Sequence, residues 1–410
     1  MSSFRFLHAA DIHLDSPLKG LSRYEGLPLE EIRNATRRAL DRLIAIAIEE
    51  KVSFLILAGD LYDGSWQDAS TGLYMMKSLS RLVHAGIRVI TLSGNHDAQS
   101  VIARELPRPA GIDHFSYDAP ETIRLEDIQV ALHGQSFRER HVRKDMTPTY
   151  PEPVSGWFNI GVLHTSLSGY GEHETYAPCS VETLASKHYD YWALGHVHAR
   201  QIVCHHPWIV FPGVLQGRHI RETGTCGAML VSVENNTVQS VTPVACDVIR
   251  WSHIVIDIAD LHDLDDVMHA ARLRMEHALA QADGRTVVAR VTLTGTTTLH
   301  DSLCASTCWQ DDLRSVAVSL DTGQNQIALE KLRNKTTSPP STNTLHDLDA
   351  ALSELMSDPE FIATLSDDFE MFFSALPGCV ERSTLMADEN SWPLDEASSA
   401  LRARLMGSAS

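Results

Sequence analysis

The feature that most limits how this chain can fold is a short apolar run near its start, which ends in the pair Asp11-Ile12-His13. The run has the length and composition of a buried β-strand. Side chains two residues apart on an extended backbone point the same way, so Asp11 and His13 can face one point beyond the strand. A carboxylate oxygen and an imidazole nitrogen at one point form half of a possible metal site. Taken alone, the pair also fits a surface turn.

Polar residues of the same kinds follow four later strands. Buried strands are predicted at 52–58, 87–92, 158–164 and 189–194, and most of them end beside a glycine. In an open α/β sheet, ligands collect outside the carboxyl ends of the strands. Any one of these polar residues fits a structural role, but the whole set at five strand ends predicts a functional site. Its members are Asp11, His13, Asp60, Asn95, His96, His164, His196 and His198.

The order of the predicted elements indicates two domains. Helices at 28–50 and 68–85 alternate with the first three strands, which predicts βαβ units and a mostly parallel sheet. After residue 247 the pattern changes to a small α+β set, with strands near 250–258, 286–294 and 326–332 and helices near 261–281 and 311–318. We therefore predict a first domain at 1–247, a smaller α+β domain at 248–333, a linker at 334–344 and an acidic helical tail at 345–410.

Composition narrows the functional class. The net charge of −19 argues against a protein that coats nucleic acid nonspecifically. Residues 346–400 hold 13 Asp or Glu and one Arg, so the tail suits a protein partner better than DNA. The sequence has no apolar run of about 18 residues and no secretion-signal pattern, which predicts a protein that does not enter a membrane. Seven scattered cysteines fit free thiols in a reducing compartment, and we expect a cytoplasmic location.

The chemistry that fits the strand-end residues is a site for two divalent ions. Two such ions about 3.5–4 Å apart need a shared anionic ligand. Asp60 is the predicted bridge, because it lies between the Asp11 and Asn95 loops. Imidazole and amide ligands suit Mn²⁺, Fe²⁺ or Zn²⁺ better than Ca²⁺, and such ions lower the pKa of water from about 15.7 towards 7. We predict that His96 donates a proton to the leaving oxygen and that Asp97 holds the His96 ring.

Other interpretations stay open for several residues. His96 could be a ligand instead of an acid. Asp63 also fits a cap of the helix that follows it, and His8 fits a packed residue beneath the ligands. A further group fits ordinary surface or packed positions: Asp15, His84, His133, His141, His205, His206 and His219.

Five motifs resemble those of the calcineurin-like metallophosphoesterases and occur in the same order. They are Asp11-x-His13, Gly59-Asp60-x-x-Asp63, Gly94-Asn95-His96-Asp97, His164-Thr165-Ser166 and Gly195-His196-x-His198. The opening stretch at 6–14 resembles the DNA-repair exonuclease branch of that superfamily, which includes SbcD and the Mre-type nucleases. The segment at 212–224 is closer still to the YhaO-type proteins of this branch.

The resemblance implies a fold, a ligand set and partners. The implied fold is α/β, a four-layer α/β/β/α sandwich followed by a smaller α+β capping domain and a helical C-terminal tail. One ion would take Asp11, His13, Asp60 and His198, and the other would take Asp60, Asn95, His164 and His196, with His96 as the transition-state histidine. In this branch a C-terminal segment docks on an SMC-like coiled-coil ATPase, a part that residues 345–410 could play. A homodimer through helices near 68–85 or 99–115 is a further implication.

Three functions are compatible with these features. The first is an Mn²⁺-dependent phosphodiesterase that acts on DNA as an exonuclease or end-processing nuclease, with Arg218 and Arg221 as candidate phosphate contacts. The second is a phosphodiesterase for small substrates such as cyclic nucleotides, although a small substrate needs neither the second domain nor the tail. The third is a non-catalytic regulatory subunit, although a scaffold does not need a full set of metal ligands.

Overall fold

The computed structural model describes residues 3–16, 29–63, 69–99, 109–167, 176–323, 326–339 and 354–374. These residues form two compact units, which we describe separately. The first unit contains the described residues up to 252 together with 285–288. The second contains 253–284 and the described residues from 289 onwards.

The first unit is built on two six-stranded mixed sheets. The first sheet contains β1 (Ser3–Ala9), β2 (Phe54–Ala58), β3 (Arg88–Leu92), β4 (Ile112–His114), β11 (Gly227–Glu234) and β12 (Thr237–Ala245), in the order β12-β11-β1-β2-β3-β4. Strands β1 to β4 run parallel to one another, while β11 pairs with β1 in the antiparallel sense. The carboxyl ends of β1, β2 and β3 therefore lie at one edge of this sheet.

The second sheet also has four adjacent parallel strands. It contains β5 (Glu121–Leu125), β6 (Val130–Gly134), β7 (Phe158–His164), β8 (Tyr191–Gly195), β9 (Gln201–His205) and β10 (Trp208–Phe211), in the order β5-β6-β7-β8-β10-β9. Strands β6, β7, β8 and β10 are parallel, and both edge strands are antiparallel to their neighbours. Strands β7 and β8 therefore end side by side.

Alternation of side chains along the strands produces the layers. Phe6 and Phe54 point from the first sheet toward the second, stack at 4.9 Å between ring centroids, and Phe6 meets Tyr191 of β8 edge-on at 5.3 Å. The alternate residues of the first sheet pack against helices α1 (Leu29–Glu49) and α2 (Ala69–His84). The outer face of the second sheet packs against helix α3 (Val181–Ser186) and neighbouring loops. This order of layers confirms the predicted α/β/β/α sandwich.

The second unit is a small α+β structure. A three-stranded sheet, most of whose residues lie in this unit, has the order β13 (Ile249–Asp257), β14 (Thr286–Thr296) and β15 (Ile327–Thr337). Helices α4 (Leu264–Gln281), α5 (His300–Ala305) and α6 (Cys308–Ser319) accompany the sheet, and α7 (Pro359–Ser374) lies in the predicted tail. A buried ion pair joins β14 to β15, with Arg290 Nη2 2.7 Å from Glu330 Oε1.

Several sequence-based boundaries need correction. The predicted linker at 334–344 begins too early, because β15 continues to Thr337. Threonine has a high strand propensity, and Thr337 accepts a backbone hydrogen bond from Thr297 at 2.9 Å. Residues 112–114 form β4 and not the end of a helix over 99–115, and 100–108 lie outside the described residues.

Two strands of the first sheet, β11 and β12, were not predicted, because their burial alternates irregularly. Most of the tail at 345–410 lies outside the described residues. Within the part of the chain that the structure describes, no helix is both long and apolar enough to cross a bilayer.

Candidate metal centre

The loops that follow β1, β2, β3, β7 and β8 meet where the carboxyl ends of the two sheets adjoin. Backbone and side-chain bonds join the loops across the sheets: His196 N–H donates to Asp11 Oδ2 at 2.9 Å, and a His164 ring nitrogen lies 3.0 Å from the Ala58 carbonyl oxygen. The structure thus brings together the eight strand-end residues that the sequence singled out. Among the described residues, the His, Asp and Glu side chains form three overlapping clusters of possible ligands. The third cluster contains His96 and shares His13 with the first and Asp60 with the second.

The first cluster, the His198 group, contains Asp11, His13 and His198. Asp11 Oδ1 lies 4.0 Å from His13 Nε2 and 3.9 Å from His198 Nε2. These separations are too long for hydrogen bonds. Two atoms that are each about 2.1 Å from one ion lie about 3–4 Å apart, so the separations fit ligands of a common ion.

The second cluster, the His164 group, contains Asp60, Asn95, His164 and His196. His164 Nδ1 faces the Ala58 carbonyl, which can only accept, so Nδ1 carries the ring proton in the neutral imidazole. The lone pair of Nε2 then faces Asn95 Oδ1 at 3.0 Å and Asp60 Oδ2 at 3.4 Å. Three electron-rich atoms that face one another in a buried place fit a bound cation.

Asp60 stands between the two groups. Its Oδ2 atom lies 3.4 Å from His164 Nε2 on one side and 3.9 Å from His13 Nε2 on the other. Its second oxygen, Oδ1, accepts a hydrogen bond from the His96 backbone N–H at 2.9 Å. Burial opposes the charged form of Asp60, but the neighbouring His164 outweighs it and holds the Asp60 pKa well below its usual range. One carboxylate oxygen therefore lies between the two groups, where it would be shared if each group held an ion.

Buried polar atoms without hydrogen-bond partners test whether the site suits an ion. Asp11 Oδ1 and both ring nitrogens of His13 are buried, and none of them has a hydrogen-bond partner among the residues that the structure describes. Desolvating such atoms without compensation costs about 1–3 kcal/mol each. A divalent ion between Asp11 Oδ1 and His13 Nε2 would supply the missing partner, so these residues fit a metal site.

The backbone at the site is held in an uncommon conformation. Asp11, His13 and Asp60 have φ angles of 51°, 44° and 52°, in the left-handed region, and His196 has a φ of 97°. Each such residue costs about 1–3 kcal/mol, and such residues concentrate at functional sites. Hydrogen bonds from Asp11 N to Gly59 O and from His13 N to Asp60 O, both 3.0 Å, help to hold the two loops together.

Two glycines allow the residues of the His164 group to pack closely against one another and against the backbone. A Cβ atom on Gly94 would lie 2.4 Å from Asp60 Oδ1 and 2.8 Å from His164 Cε1. A Cβ atom on Gly195 would lie 2.0 Å from the Ala58 carbonyl oxygen. Because real side chains do not approach so closely, only glycine permits this packing of carboxylate, imidazole and backbone.

His96 lies at the open side of the site, and the structure corrects its predicted partner. His96 Nδ1 is 3.1 Å from Asp63 Oδ1, and Asp63 also accepts the Ser16 hydroxyl at 2.7 Å. Asp63 is therefore part of the site and not merely a helix cap. Asp97 does not hold the His96 ring, because its carboxyl accepts three backbone N–H groups instead, those of Leu61, Tyr62 and Gly94.

The two carboxyls near His96 differ in their titration. Burial raises the Asp97 pKa to about 7, and the charge of Asp60 raises it further. The three backbone hydrogen bonds act in the opposite direction but do not outweigh these two effects. Burial also opposes ionisation of Asp63, but the nearby His13 ring and the hydrogen bond with His96 hold the Asp63 pKa well below its usual range. Although burial lowers the His96 pKa, the bond to Asp63 and nearby carboxylates outweigh this and raise it.

Glu222 is a site residue that the sequence analysis missed. Its buried carboxylate lies with Oε1 2.8 Å from His198 Nδ1 and 2.8 Å from Arg218 Nη2. Arg218, a predicted phosphate contact, is thus held in an ion pair beside His198, whereas Arg221 is exposed. The only sequence signal for Glu222 was its position four residues after Arg218, which does not separate it from other surface pairs.

Three residues whose roles the sequence left open, His8, His219 and Asp15, lie outside the candidate ligand clusters of the described residues. His8 is fully buried below the ligands, with its ring nitrogens 3.1 Å from the Tyr191 hydroxyl and 3.1 Å from the Leu194 carbonyl oxygen. His219 is half exposed, with Nε2 3.6 Å from Glu222 Oε1. Asp15 forms an ion pair with Arg37 of α1.

Two segments of the sequence match known protein families. The sequence profile of the calcineurin-like phosphoesterases matches residues 4–200, and that of the middle domain of metallophosphoesterase YhaO matches residues 251–337. Among solved structures, a dimetal phosphatase from Danio rerio covers 60% of this chain and 98% of its own, with 10% identity and a TM-score of 0.37. That score is too low to equate the two folds.

Curated relatives extend the match. The uncharacterized metallophosphoesterase YhaO of Bacillus subtilis is 34% identical over 64% of this chain and 65% of its own length. The DNA double-strand break repair protein Mre11 of Methanopyrus kandleri is 29% identical over 51% of this chain and 48% of its own. A subunit of the nuclease SbcCD from Bacillus subtilis is 33% identical over 30% of each. This chain thus matches less than two thirds of the length of these relatives. Residues 4–200 thus match the calcineurin-like phosphoesterase family, and residues 251–337 match the middle domain of metallophosphoesterase YhaO.

Proposed function

We propose that this protein is a two-metal phosphodiesterase that cleaves DNA as an exonuclease or end-processing nuclease. The observation that carries the proposal is the position of Asp60 Oδ2, which faces His164 Nε2 at 3.4 Å and His13 Nε2 at 3.9 Å. A carboxylate shared in this way lets two ions lie close together, as phosphodiester cleavage by two ions requires. We propose Mn²⁺, since the ligand set mixes imidazole nitrogen with carboxylate and amide oxygen.

The ligands assigned to the two ions are proposals that rest on these distances. One ion would be held by Asp11, His13, Asp60 and His198, and the other by Asp60, Asn95, His164 and His196. Ions at these positions would lower the pKa of a water molecule and withdraw charge from the phosphoryl oxygens.

His96 is the proposed proton donor to the leaving oxygen. Its ring is about one-third exposed, so a substrate can reach it, and its Nδ1 is held by Asp63 at 3.1 Å. The bond through Nδ1 directs Nε2 away from Asp63 and favours the protonated ring. His96 also falls in a cluster with His13 and Asp60, so a ligand role is the alternative that the experiment must exclude.

DNA is the proposed substrate on two grounds. Two of the relatives are, by name, a DNA repair protein and part of a nuclease. Arg221 is exposed and Arg218 lies next to His198, so both are proposed phosphate contacts. We also propose an SMC-like coiled-coil ATPase as partner, since one relative is named as a subunit of a nuclease complex. The acidic segment at 345–410 is the proposed docking region, and the residues between the end of β15 at Thr337 and 344 are the proposed linker.

Three further expectations remain proposals. We place the domain division near residue 247, with the sandwich before it and the α+β capping domain after it. We propose a cytoplasmic location, to which the buried free thiols of Cys179, Cys226 and Cys246 are suited. A homodimer through the helix at Ala69–His84 also remains proposed, and Leu73 is an exposed apolar residue on that helix.

The test is a cleavage assay with purified protein and Mn²⁺. End-labelled duplex and single-stranded DNA are compared with cyclic nucleotides and with nucleotide diesters, and metal binding is measured in parallel. We expect cleavage of DNA that EDTA abolishes and Mn²⁺ restores. Cleavage of small diesters alone would contradict the choice of DNA, and stoichiometric binding of two ions without any hydrolysis would favour a regulatory subunit.

A further inference from the structure

We infer that Glu222 is a positioning residue, which orients His198 toward its ion and neutralises Arg218 beside it. The inference rests on the proposed two-ion function, because it concerns one of the two ions. Glu222 lies at the end of a tight segment in which its backbone N–H bonds to the His219 carbonyl at 2.9 Å. Its carboxylate is almost fully buried and reaches back to two side chains of the site.

The first effect concerns the orientation of the His198 ring. A carboxylate can only accept, so the 2.8 Å contact with Glu222 Oε1 places the ring proton on His198 Nδ1. The lone pair of Nε2 is then directed toward Asp11 Oδ1, 3.9 Å away. About a third of the His198 side chain is exposed, and no other hydrogen-bond acceptor for Nδ1 is seen among the described residues. Orientation of this ring therefore depends on Glu222.

The second effect concerns charge. Arg218 Nη2 lies only 3.4 Å from His198 Nδ1, so a guanidinium cation stands directly behind a predicted metal ligand. Glu222 offsets that charge with three contacts to Arg218: Oε2 accepts the backbone N–H at 2.8 Å and Nε at 3.3 Å, and Oε1 accepts Nη2 at 2.8 Å. Without the carboxylate, the Arg218 charge would repel a divalent ion bound to Asp11 and His198.

The two effects make a prediction that a purely structural role would not. Loss of the Glu222 charge should weaken one ion site and leave the other unchanged, because His164 is anchored by the Ala58 carbonyl and not by a carboxylate. Alteration of a residue that orients a metal ligand typically changes metal affinity by about 10- to 100-fold.

The experiment is calorimetric titration of metal-free protein with Mn²⁺, for wild type, Glu222→Gln and Glu330→Gln. Gln has nearly the shape of Glu, but it removes the charge and replaces one acceptor oxygen by an NH2 group, and it does so equally at both positions. Glu330 is the matched control, since it is also a buried carboxylate with a two-point pair to an arginine, Arg290, but it contacts no histidine of the site. We expect two ions in wild type and Glu330→Gln. In Glu222→Gln, one ion should bind about 10- to 100-fold more weakly and the other as in wild type.

Each other outcome has a distinct meaning. Two ions bound with wild-type affinity by Glu222→Gln would overturn the inference and leave the proposed function standing. Fewer than two ions bound by wild type would overturn the two-ion proposal, and the role of Glu222 with it. If Glu222→Gln does not fold, Glu222→Asp decides: it keeps the charge but shortens the reach to His198, so loss at one site supports the inference and no loss contradicts it.

Discussion

The two halves of the metal centre are held in different ways. In the His164 group, the ring of His164 is fully buried, bonds to a backbone carbonyl, and meets the aromatic ring of Phe137 edge-on at 5.7 Å. In the His198 group, the His198 ring is partly exposed, bonds to a carboxylate, and lies 5.3 Å from the ring of another histidine, His13. Apart from the candidate ligands themselves, a backbone carbonyl and an apolar ring contact His164, whereas charged side chains contact His198.

This difference indicates what each half depends on. Close packing fixes the His164 group, because glycines at 94 and 195 leave room for its residues and for nothing larger. Charge balance fixes the His198 group, where Glu222 and Arg218 offset each other next to the ligand. A change in side-chain volume should therefore disturb the first half more, and a change in charge should disturb the second more.

The largest effect is expected for Asp60, which belongs to both halves. Asp60→Asn removes the charge that two ions would share, and the ions would then repel each other without a bridging anion. We expect calorimetry to show loss of at least one ion and cleavage to fall by about 10⁴-fold or more. Asp190→Asn is the control, because Asp190 accepts the Asn159 N–H at the opposite end of β8. An Asp60→Asn protein with both ions and full rate would contradict a bridging role.

His96 and Asp63 test the charged half through catalysis and not through binding. His96→Gln should retain both ions and lose about 10²- to 10⁴-fold in kcat, the usual contribution of a general acid. Asp63→Asn should cost less, since the ring remains. Asp63 raises the His96 pKa, and a proton donor acts in its protonated form. The alkaline limb of the kcat–pH profile should therefore move to lower pH in Asp63→Asn.

Asp97→Asn distinguishes the two carboxyls near His96. One Asp97 oxygen accepts from Leu61 and Gly94 and the other from Tyr62, so the amide leaves a buried N–H unpaired. We expect a loss of about 1–3 kcal/mol in unfolding free energy, with a smaller shift of the alkaline limb than in Asp63→Asn. A larger pH shift in Asp97→Asn would restore Asp97 as the partner of the His96 ring.

The sequence predicted the packed half of the site better than the charged half. Gly94 and Gly195 are adjacent in sequence to Asn95 and His196, so each motif contains both a candidate ligand and the glycine that leaves space for the packing around it. Glu222 lies 24 residues from His198, and nothing in the sequence around a single glutamate indicates which distant side chain it contacts. The choice of Asp97 over Asp63 failed for a related reason. Proximity in sequence favoured Asp97, but the chain turns its carboxyl toward the backbone of the preceding loop.

The same contrast holds for the fold. Strands β1, β2, β3, β7 and β8 are apolar runs that end in turns, and their buried periodicity made them predictable. Strands β11 and β12 depend on pairing with each other, since β11 joins β1 far along the chain. Long-range pairing of this kind leaves little local pattern. In β15, threonines at 336 and 337 were assigned to a linker by composition, although they complete a sheet.

A bulkier residue at Gly94 should disturb the packed half selectively. In Gly94→Ala, the added methyl group would approach the Asp60 carboxylate and the His164 ring to well below contact distance. We expect about 1–3 kcal/mol of destabilisation, and weaker binding of the ion in the His164 group than of the other ion. Gly156→Ala is the control, since that position has a positive φ but open space around it. Equal weakening of both ions in Gly94→Ala would show that the two halves are not separately held.

The smallest effect concerns stability, and it compares His164 with His8, an equally buried histidine whose ring contacts no carboxylate within the described ranges. Burial opposes the charged form of both rings. Asp60 outweighs this for His164 and raises its pKa to about 9, whereas burial lowers the His8 pKa to about 3. Below pH 6.5 the unfolded chain therefore binds a proton at His8 that the folded chain does not bind. Stability from the neutral ring is complete above pH 6.5 and is lost as the pH falls towards 3.

At pH 5 this loss amounts to about 2 kcal/mol. The measurement is urea unfolding of metal-free wild type and His8→Gln at pH 7 and pH 5. Gln does not titrate, so the wild type should lose about 2 kcal/mol more between the two pH values than the variant does. An equal loss in both proteins would mean that His8 is protonated in the folded state. The ring would then need a negative partner, as His164 has in Asp60, and the difference in pKa between the two buried histidines would disappear.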